Sequence, residues 1–275
     1  MASTHHQLLE MAFEEDLPHG DITSDSILKK ETSVLANLKA KEDLVLSGCT
    51  LFEEAMRWQD EELKIHWHFK DSDFVYNQQT ICQIEGSALA ILKAERVALN
   101  FLGKLSGIAT LTRCFVEKLH GTQTKILDTR KTTPGFRALE KAAVLHGGGM
   151  NHRMNLSDGV LIKENHIRAA GGITSAVQEV RSHTSFPIEV ECSSLSEVEE
   201  AVALKVHRIL LDNMSLETLK ECLEVIPRTI ETEASGNMNL DRVKSVAELG
   251  VNYISVGQIT HSAPSADVSL LFDWS

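Results

Sequence analysis

The chain has 275 residues, 43% of them apolar and 24% charged, a globular mixture with enough apolar surface for one large core or two ordinary ones. No apolar run approaches the ~18 residues of a membrane helix, and a formal net charge of −12 disfavours nucleic acid and anionic membrane surfaces as partners. The cysteines (Cys49, Cys82, Cys114, Cys192, Cys222) are odd in number and form no CxxC pair, which argues against a disulfide framework or a zinc knuckle and predicts a reducing, cytoplasmic setting.

Residues 1–16 carry acids but no Lys or Arg, unlike a secretory or mitochondrial leader. Residues 33–40 and 64–70 alternate apolar and polar side chains with period two, predicting half-buried strands of an antiparallel sheet. Between them, residues 50–60 place Leu51, Phe52, Ala55 and Met56 on one helical face. Residues 87–105 and 108–120 predict two long helices punctuated by Ser106-Gly107. The first is apolar nearly all round. Its narrow polar stripe (Lys93, Arg96, Asn100, Lys104) must face a cavity, a partner subunit or a thin slice of solvent. His5, His6, His66 and His68 lack ligand-like partners at helical spacing and read as surface or sheet-face residues.

From residue 125 the pattern changes to a regular beat of short apolar runs: 125–129, 159–163, 188–191, 209–212, 229–233 and 253–257. Most are followed by an amphipathic helix: 196–204 with a capping box from Ser196 and Glu199, 215–226, and 239–249 ended by Gly250. Strands alternating with helices predict parallel βα units. The run ends are spaced by about 26 residues, so eight units would need about 205 where about 150 remain, and an open, incomplete α/β barrel fits better than a closed eight-fold one. A doubly wound open sheet is the alternative architecture.

In either architecture chemistry gathers at the carboxyl ends of the strands. Those ends carry, in order, Arg130-Lys131, Lys163, Glu191, Asp212, Glu233 and Gly257. From Asp128 to Arg168 seven basic residues face four acids, a basic island of net +3 in an acidic chain. Cations first and carboxylates second predict a mouth that is electropositive on one side and electronegative on the other. Such a division suits an anionic substrate beside a metal-bound polyphosphate. The run Gly147-Gly148-Gly149 delivers His152 and Arg153 ahead of the strand ending at Lys163, as a functional loop or merely a flexible one. Neither GxxxxGK[ST] nor GxGxxG occurs. The Ser235-Gly236-Asn237 and Gly257-Gln258 segments follow the last two runs, where barrels often dock phosphate on backbone N–H groups.

The string DTRKTTPGFRALEKAAVLHGGGMNHRMNLSDGVLIKENHI (residues 128–167) closely resembles the signature region of the quinolinate phosphoribosyltransferases. The resemblance continues through HGDITSDSI (19–27), AERVALNFLGKLSGIAT (94–110), IEVEC (188–192), LLDNM (210–214), EASGN (233–237) and ISVGQITHSAPSADVSLLFD (254–273), and so covers essentially the whole chain. Gly103 departs from a longer polar side chain of the family.

What the resemblance implies is a homodimer with an N-terminal α/β sandwich (1–106, completed by 266–275) and an open α/β barrel catalytic domain (107–265). It would join quinolinate to 5-phosphoribosyl-1-pyrophosphate (PRPP), yielding nicotinate mononucleotide, pyrophosphate and CO₂ with Mg²⁺ present. By motif position Arg130, His152, Arg153 and Lys163 would bind the pyridine dicarboxylate, Lys131 would border it, and Arg96 would come from the partner subunit. Glu191 and Asp212 would be the metal- and ribose-facing carboxylates, with Lys131 and Lys163 beside them in catalysis. Ser235, Gly236, Gly257 and His261 would hold the 5′-phosphate. Two other readings compete: a Schiff-base aldolase using Lys163, and a phosphate-ligand binding protein without turnover.

Overall fold

The computed structural model of the chain describes residues 4–29 and 31–274. It divides into two compact units, one holding the chain up to Leu111 together with the segment from Ala263, the other Thr112–Ser262. In chain order the first unit contains α1 (Thr4–Asp16), α2 (Ile22–Ile27), β1 (Ser33–Ala40), β2 (Leu44–Val45), α3 (Cys49–Gln59), β3 (Lys64–Trp67), β4 (Phe74–Val75), β5 (Thr80–Ser87) and most of α4 (Ala88–Lys118). The second contains β6 (Lys125–Leu127), α5 (Arg137–His146), β7 (Val160–Ile162), α6 (Glu164–Ala170), α7 (Ile173–His183), β8 (Ile188–Cys192), α8 (Leu195–Ala203), β9 (Arg208–Asp212), α9 (Leu216–Val225), β10 (Glu231–Ser235), α10 (Val243–Glu248), β11 (Tyr253–Ser255) and α11 (Gln258–His261). The last strand, β12 (Val268–Asp273), returns to the first unit.

The first unit is built on an antiparallel sheet of order β12-β1-β5-β3. Along β1 the residues Val34, Ala36, Leu38 and Ala40 are buried and alternate with more exposed ones, as the period-two pattern requires. α3 buries Leu51, Phe52, Ala55 and Met56, the face read from the sequence. β3 is shorter than its pattern and ends at Trp67, whose ring meets Phe52 edge-on at 5.6 Å while its Nε1 donates to Glu53.

Ser106-Gly107 does not punctuate two helices: α4 runs unbroken through them for 31 residues. The small residues are there for contact. Ser106 Oγ accepts the backbone N–H of Ser47 and donates to its carbonyl. A Cβ on Gly107 would stand 1.9 Å from the Pro264 carbonyl oxygen, so only glycine lets that backbone cross the helix.

In the second unit six strands pair side by side, all parallel, in the order β6-β11-β10-β9-β8-β7. From β7 to β11 neighbours in the sheet are neighbours in sequence, and β11 then curls round to β6. A doubly wound sheet would reverse direction at a switch point, so the order is that of a barrel left open between β6 and β7. On the free edge of β6 lies Met150, whose N–H donates to Ile126 O and whose carbonyl accepts from Asp128 N–H.

Three local details differ from the sequence reading. The helix cap of α8 sits two residues earlier than the Ser196/Glu199 pair: Ser194 Oγ accepts the Glu197 N–H, and the Glu197 carboxylate accepts from Ser193. α10 begins only at Val243, because Asn239 Oδ1 takes the N–H groups of Asp241 and Arg242 into a turn first. β10 extends to Ser235, which leaves Glu233 inside the strand and fully buried instead of at its end.

Candidate active site

Strand direction alone assembles the site. The carboxyl ends of the six strands surround a cavity of about 810 Å³ within the second unit. Arg130, Lys131, His152, Arg153, Lys163, Glu191, Asp212, Ser235, Gly236, Gly257 and His261 all line it. Among the residues expected from the sequence only Arg96 is not there: it stands exposed on α4, in the part of that helix belonging to the first unit. Asn237 and Gln258, from the two glycine-bearing segments singled out in the sequence, line it as well, and the geometry brings in Asn213, which was not singled out.

The cation side is carried by loops. Arg130 Nε is buried without a hydrogen-bond partner, a donor waiting for an acceptor. Burial, followed by the like charge of Arg130, holds the Arg153 guanidinium below its ordinary proton affinity. Two guanidinium groups so placed, with Arg153 Nη1 tied to Gly159 O at 2.9 Å, need an anion between them. Lys131 approaches Gly257 and His261, and its carbonyl accepts from Thr260 Oγ1.

Not every basic residue of the island belongs to that wall. Lys141 is fully buried in α5, ion-paired with the equally buried Asp128 and donating to His152 O at 2.9 Å. Asp128 Oδ1 also accepts the His152 N–H at 2.8 Å. The next residue back, Glu140, is buried too and accepts both the N–H and the hydroxyl of Thr133. Arg137 braces Thr132 and the Met154 carbonyl, and Arg168 pairs with Glu164 on the surface. So Lys141, Arg137 and Arg168 hold or decorate the framework, and Arg130, Lys131, Arg153 and Lys163 face the cavity. The glycine run is likewise no slack loop: Gly147 and Gly149 N–H groups cap α5 on Ala143 O and Val144 O, directly before Met150 joins β6.

The acid side is carried by strands. Glu191, next to last in β8, has its Oε2 2.9 Å from Lys163 Nζ, and Asp212 ends β9 with its Oδ2 accepting from Asn213 Nδ2 at 2.7 Å. Lys163 is half exposed and ion-paired, whereas an imine-forming lysine is desolvated in an apolar pocket, so the aldolase reading loses its nucleophile. Beyond Ser235, Gly236 takes φ +91°, and a Cβ there would lie 2.2 Å from Asn213 Oδ1. Asn237 Nδ2 donates to that same oxygen at 3.1 Å. The segment is thereby pressed onto β9 with its backbone open to the cavity.

Deeper, His152 is held at both ring nitrogens. Nδ1 accepts the Arg153 N–H at 2.8 Å, while Nε2 lies 3.1 Å from Glu189 Oε2 and 3.6 Å from Glu233 Oε2. Burial opposes charge on the ring, but the Glu189 hydrogen bond and the two carboxylate charges prevail and raise its proton affinity. Neither Glu189 nor Arg208, which reaches Glu233 Oε2 at 3.3 Å, was found from strand ends. Period two would have shown them, since Glu189 shares a strand face with Glu191, and Arg208 with Asp212.

Both parts of the chain match one family. Residues 21–106 match the N-terminal domain and residues 108–271 the C-terminal domain described as quinolinate phosphoribosyl transferase. The chain belongs to the quinolinate phosphoribosyltransferase family. It is 42% identical over 266 residues to a probable nicotinate-nucleotide pyrophosphorylase (carboxylating) of Bacillus subtilis, covering 96% of this chain and 92% of that one. It is 40% identical to the chloroplastic nicotinate-nucleotide pyrophosphorylase (carboxylating) of Arabidopsis thaliana, covering 97% and 82%. The crystal structure of the Ehrlichia chaffeensis nicotinate-nucleotide pyrophosphorylase superposes with a TM-score of 0.94 at 41% identity, over 99% of this chain and 100% of that one. The family's α/β architecture is the one described above, an antiparallel-sheet domain plus an open parallel barrel.

Proposed function

We infer that this phosphoribosyltransferase joins quinolinate to PRPP and releases pyrophosphate and CO₂, leaving nicotinate mononucleotide for NAD biosynthesis. The observation that carries the reading is a single cavity whose loop-borne wall holds Arg130, Lys131, Arg153 and Lys163 and whose strand-borne wall holds Glu191 and Asp212. Quinolinate offers two carboxylates on adjacent ring carbons, and paired guanidinium groups bind such groups in a two-pronged fashion that Lys cannot copy. His152 borders the ring and fixes the backbone of Arg153. Ser235, Gly236, Gly257 and His261 receive the 5′-phosphate.

Chemistry follows from charge. Pyrophosphate leaves from C1 of the ribose, so positive charge grows on the sugar beside Glu191 and Asp212 while Lys131 and Lys163 face the departing anion. The pyridine nitrogen attacks C1 carrying no proton, so positioning does the work a base would otherwise do. The donor set fits Mg²⁺: two carboxylates, each with a polar neighbour and neither closed into a cage, suit an ion that keeps several waters and takes its other ligands from substrate phosphates. Bound there by Glu191 and Asp212, the ion supplies charge neutralisation for pyrophosphate.

The exposed Arg96 belongs, in this reading, to the site of a partner subunit in a homodimer. Among the described residues no helix is long and apolar enough to cross a membrane, and with its free cysteines we place the enzyme in the cytoplasm. The test is direct: purified protein given quinolinate, PRPP and Mg²⁺ releases pyrophosphate and CO₂ in equal amounts. Binding of both substrates with no release would leave the non-catalytic binding protein standing instead.

A further inference from the structure

The overall reaction requires something that neither wall of the cavity provides. Ring carbon C2 of the pyridine loses CO₂ and ends bearing hydrogen. The electron pair left on C2 when the carbon–carbon bond breaks must therefore collect a proton. Guanidinium groups do not release theirs, which removes Arg130 and Arg153; Lys163 is engaged with Glu191, and Lys131 lies against Gly257 beside His261, on the phosphate side of the cavity.

Below these residues lies a set of different character. One ligating atom each from His152, Glu189 and Glu233 falls within 4.8 Å of the others, inside the barrel and screened from solvent. Glu233 sits on β10 at the cavity floor and is fully buried. Around it stand Glu189 from β8, Arg208 from β9, Tyr253 and Ser255 from β11, His152 from the segment after α5, and Glu231 from its own strand. Arg208 is the one cation of fixed charge among them, and it spends Nε and Nη2 on Glu231 at 3.0 and 2.7 Å, leaving Nη1 for Glu233. Oε1 of Glu189 and Oε1 of Glu233 are buried without partners. Three carboxylates beside one guanidinium, two of them with dry, unpaired oxygens, cannot all remain ionised at acceptable cost. Since His152 Nδ1 is already an acceptor for Arg153, the neutralising proton resides on the Nε2 side, between the ring and the carboxylates.

We propose that the proton held on Glu233, whose Oε2 lies 3.6 Å from His152 Nε2, is the one that takes the place of CO₂ on ring carbon C2. This rests on the quinolinate reading given above. The C2–carboxylate bond breaks, CO₂ departs, and the electron pair stays on C2 beside the positively charged ring nitrogen. CO₂ recombines with that pair until the pair accepts the proton to form C2–H, so net release of CO₂ waits on delivery of the proton. His152 and Glu233 both line the cavity, so the emptied pair is refilled from water when product leaves. Burial and the neighbouring Glu189 push the Glu233 carboxyl up to about 7, so the store is filled below neutrality and drains above it.

The test follows pyrophosphate and CO₂ separately in a single turnover of the full-length enzyme with quinolinate, PRPP and Mg²⁺. In Glu233→Gln, pyrophosphate release stays within about threefold of wild type while CO₂ release slows by roughly a hundredfold or more. In wild type, the CO₂ phase alone slows in D₂O and declines as pH rises from 6 to 9. Equal rates of both products in the variant would overturn the proposal. So would a CO₂ phase in wild type that ignores both pH and D₂O, a measurement that decides the matter even if the variant fails to fold. A transition metal bound in the purified protein and lost with Glu233→Gln would also overturn it. Wild-type protein yielding neither product would instead overturn the quinolinate reading itself.

Discussion

The two walls of the cavity are made by different means. Glu191, Asp212 and Ser235 come from the ends of hydrogen-bonded parallel strands, whose register fixes them without further help: Asp212 lies opposite Ser235, and Glu191 opposite Leu210. Arg130, His152 and Arg153 come from loops on either side of the barrel's open seam, where the only backbone pairing is the short one of Met150 with β6. There the protein spends buried charge. Asp128 and Lys141 tie the end of β6 to the His152 backbone, and Glu140 ties down Thr133. A site can be positioned by a sheet or by a buried ion pair, and the second is far more vulnerable to single substitutions.

That difference can be broken in order of severity. Lys141→Met leaves Asp128 charged, buried and unpaired, so it should cost about 3–5 kcal/mol in urea unfolding and remove activity with it. Arg130→Ala and Arg96→Ala homodimers should each lose activity roughly a hundredfold or more. Mixing the two after subunit exchange should restore about a quarter of wild-type activity, because half the hybrid sites are intact if Arg96 crosses to the partner. No recovery would remove the partner-supplied arginine.

Arg153→Lys should raise the KM for quinolinate about ten- to a hundredfold and leave that for PRPP nearly unchanged, since the ammonium loses the forked contact. Equal losses would mean the residue faces both substrates. On the floor between the walls, Glu233 holds its proton to about 7 in the folded chain against an ordinary 4.5. The folded state therefore binds more protons between those values. That contribution to stability is complete below about 4.5 and lost as pH rises through about 7. Unfolding by urea should show wild type losing up to roughly 3 kcal/mol from pH 5 to 8 relative to Glu233→Gln. Smallest of all, Glu164→Gln breaks only an exposed pair with Arg168 and should change stability by less than about 0.5 kcal/mol.

Much of this was readable from residue order. Period two marked β1 and helical spacing marked the buried face of α3, because those patterns report the side chain's own partition between core and water. Chain-order beats gave the six parallel strands, and their terminal charges gave both walls. What failed did so for identifiable reasons. Ser106-Gly107 looks like a helix break, yet the same small residues permit close backbone contact, and local sequence does not contain the Pro264 carbonyl that they meet. Lys141 counts as one more cation in a basic island until its partner Asp128, 13 residues away, is seen to be buried with it. Glu233 seemed a strand end because the apolar run stops there, although its backbone pairing continues to Ser235.

The sequence by itself determined the βα rhythm, the sign of charge at each strand end and the family, since each is written in local pattern or in motif. Only the tertiary structure decided that the barrel opens between β6 and β7, that Lys141 supports the wall instead of forming it, and that Glu189, Glu233 and His152 converge beneath it. Hydrophobic pattern sets which face a residue shows to the core. Which distant charges meet there, and which must give up ionisation to share the space, depends on strand order and register that no short stretch of chain encodes.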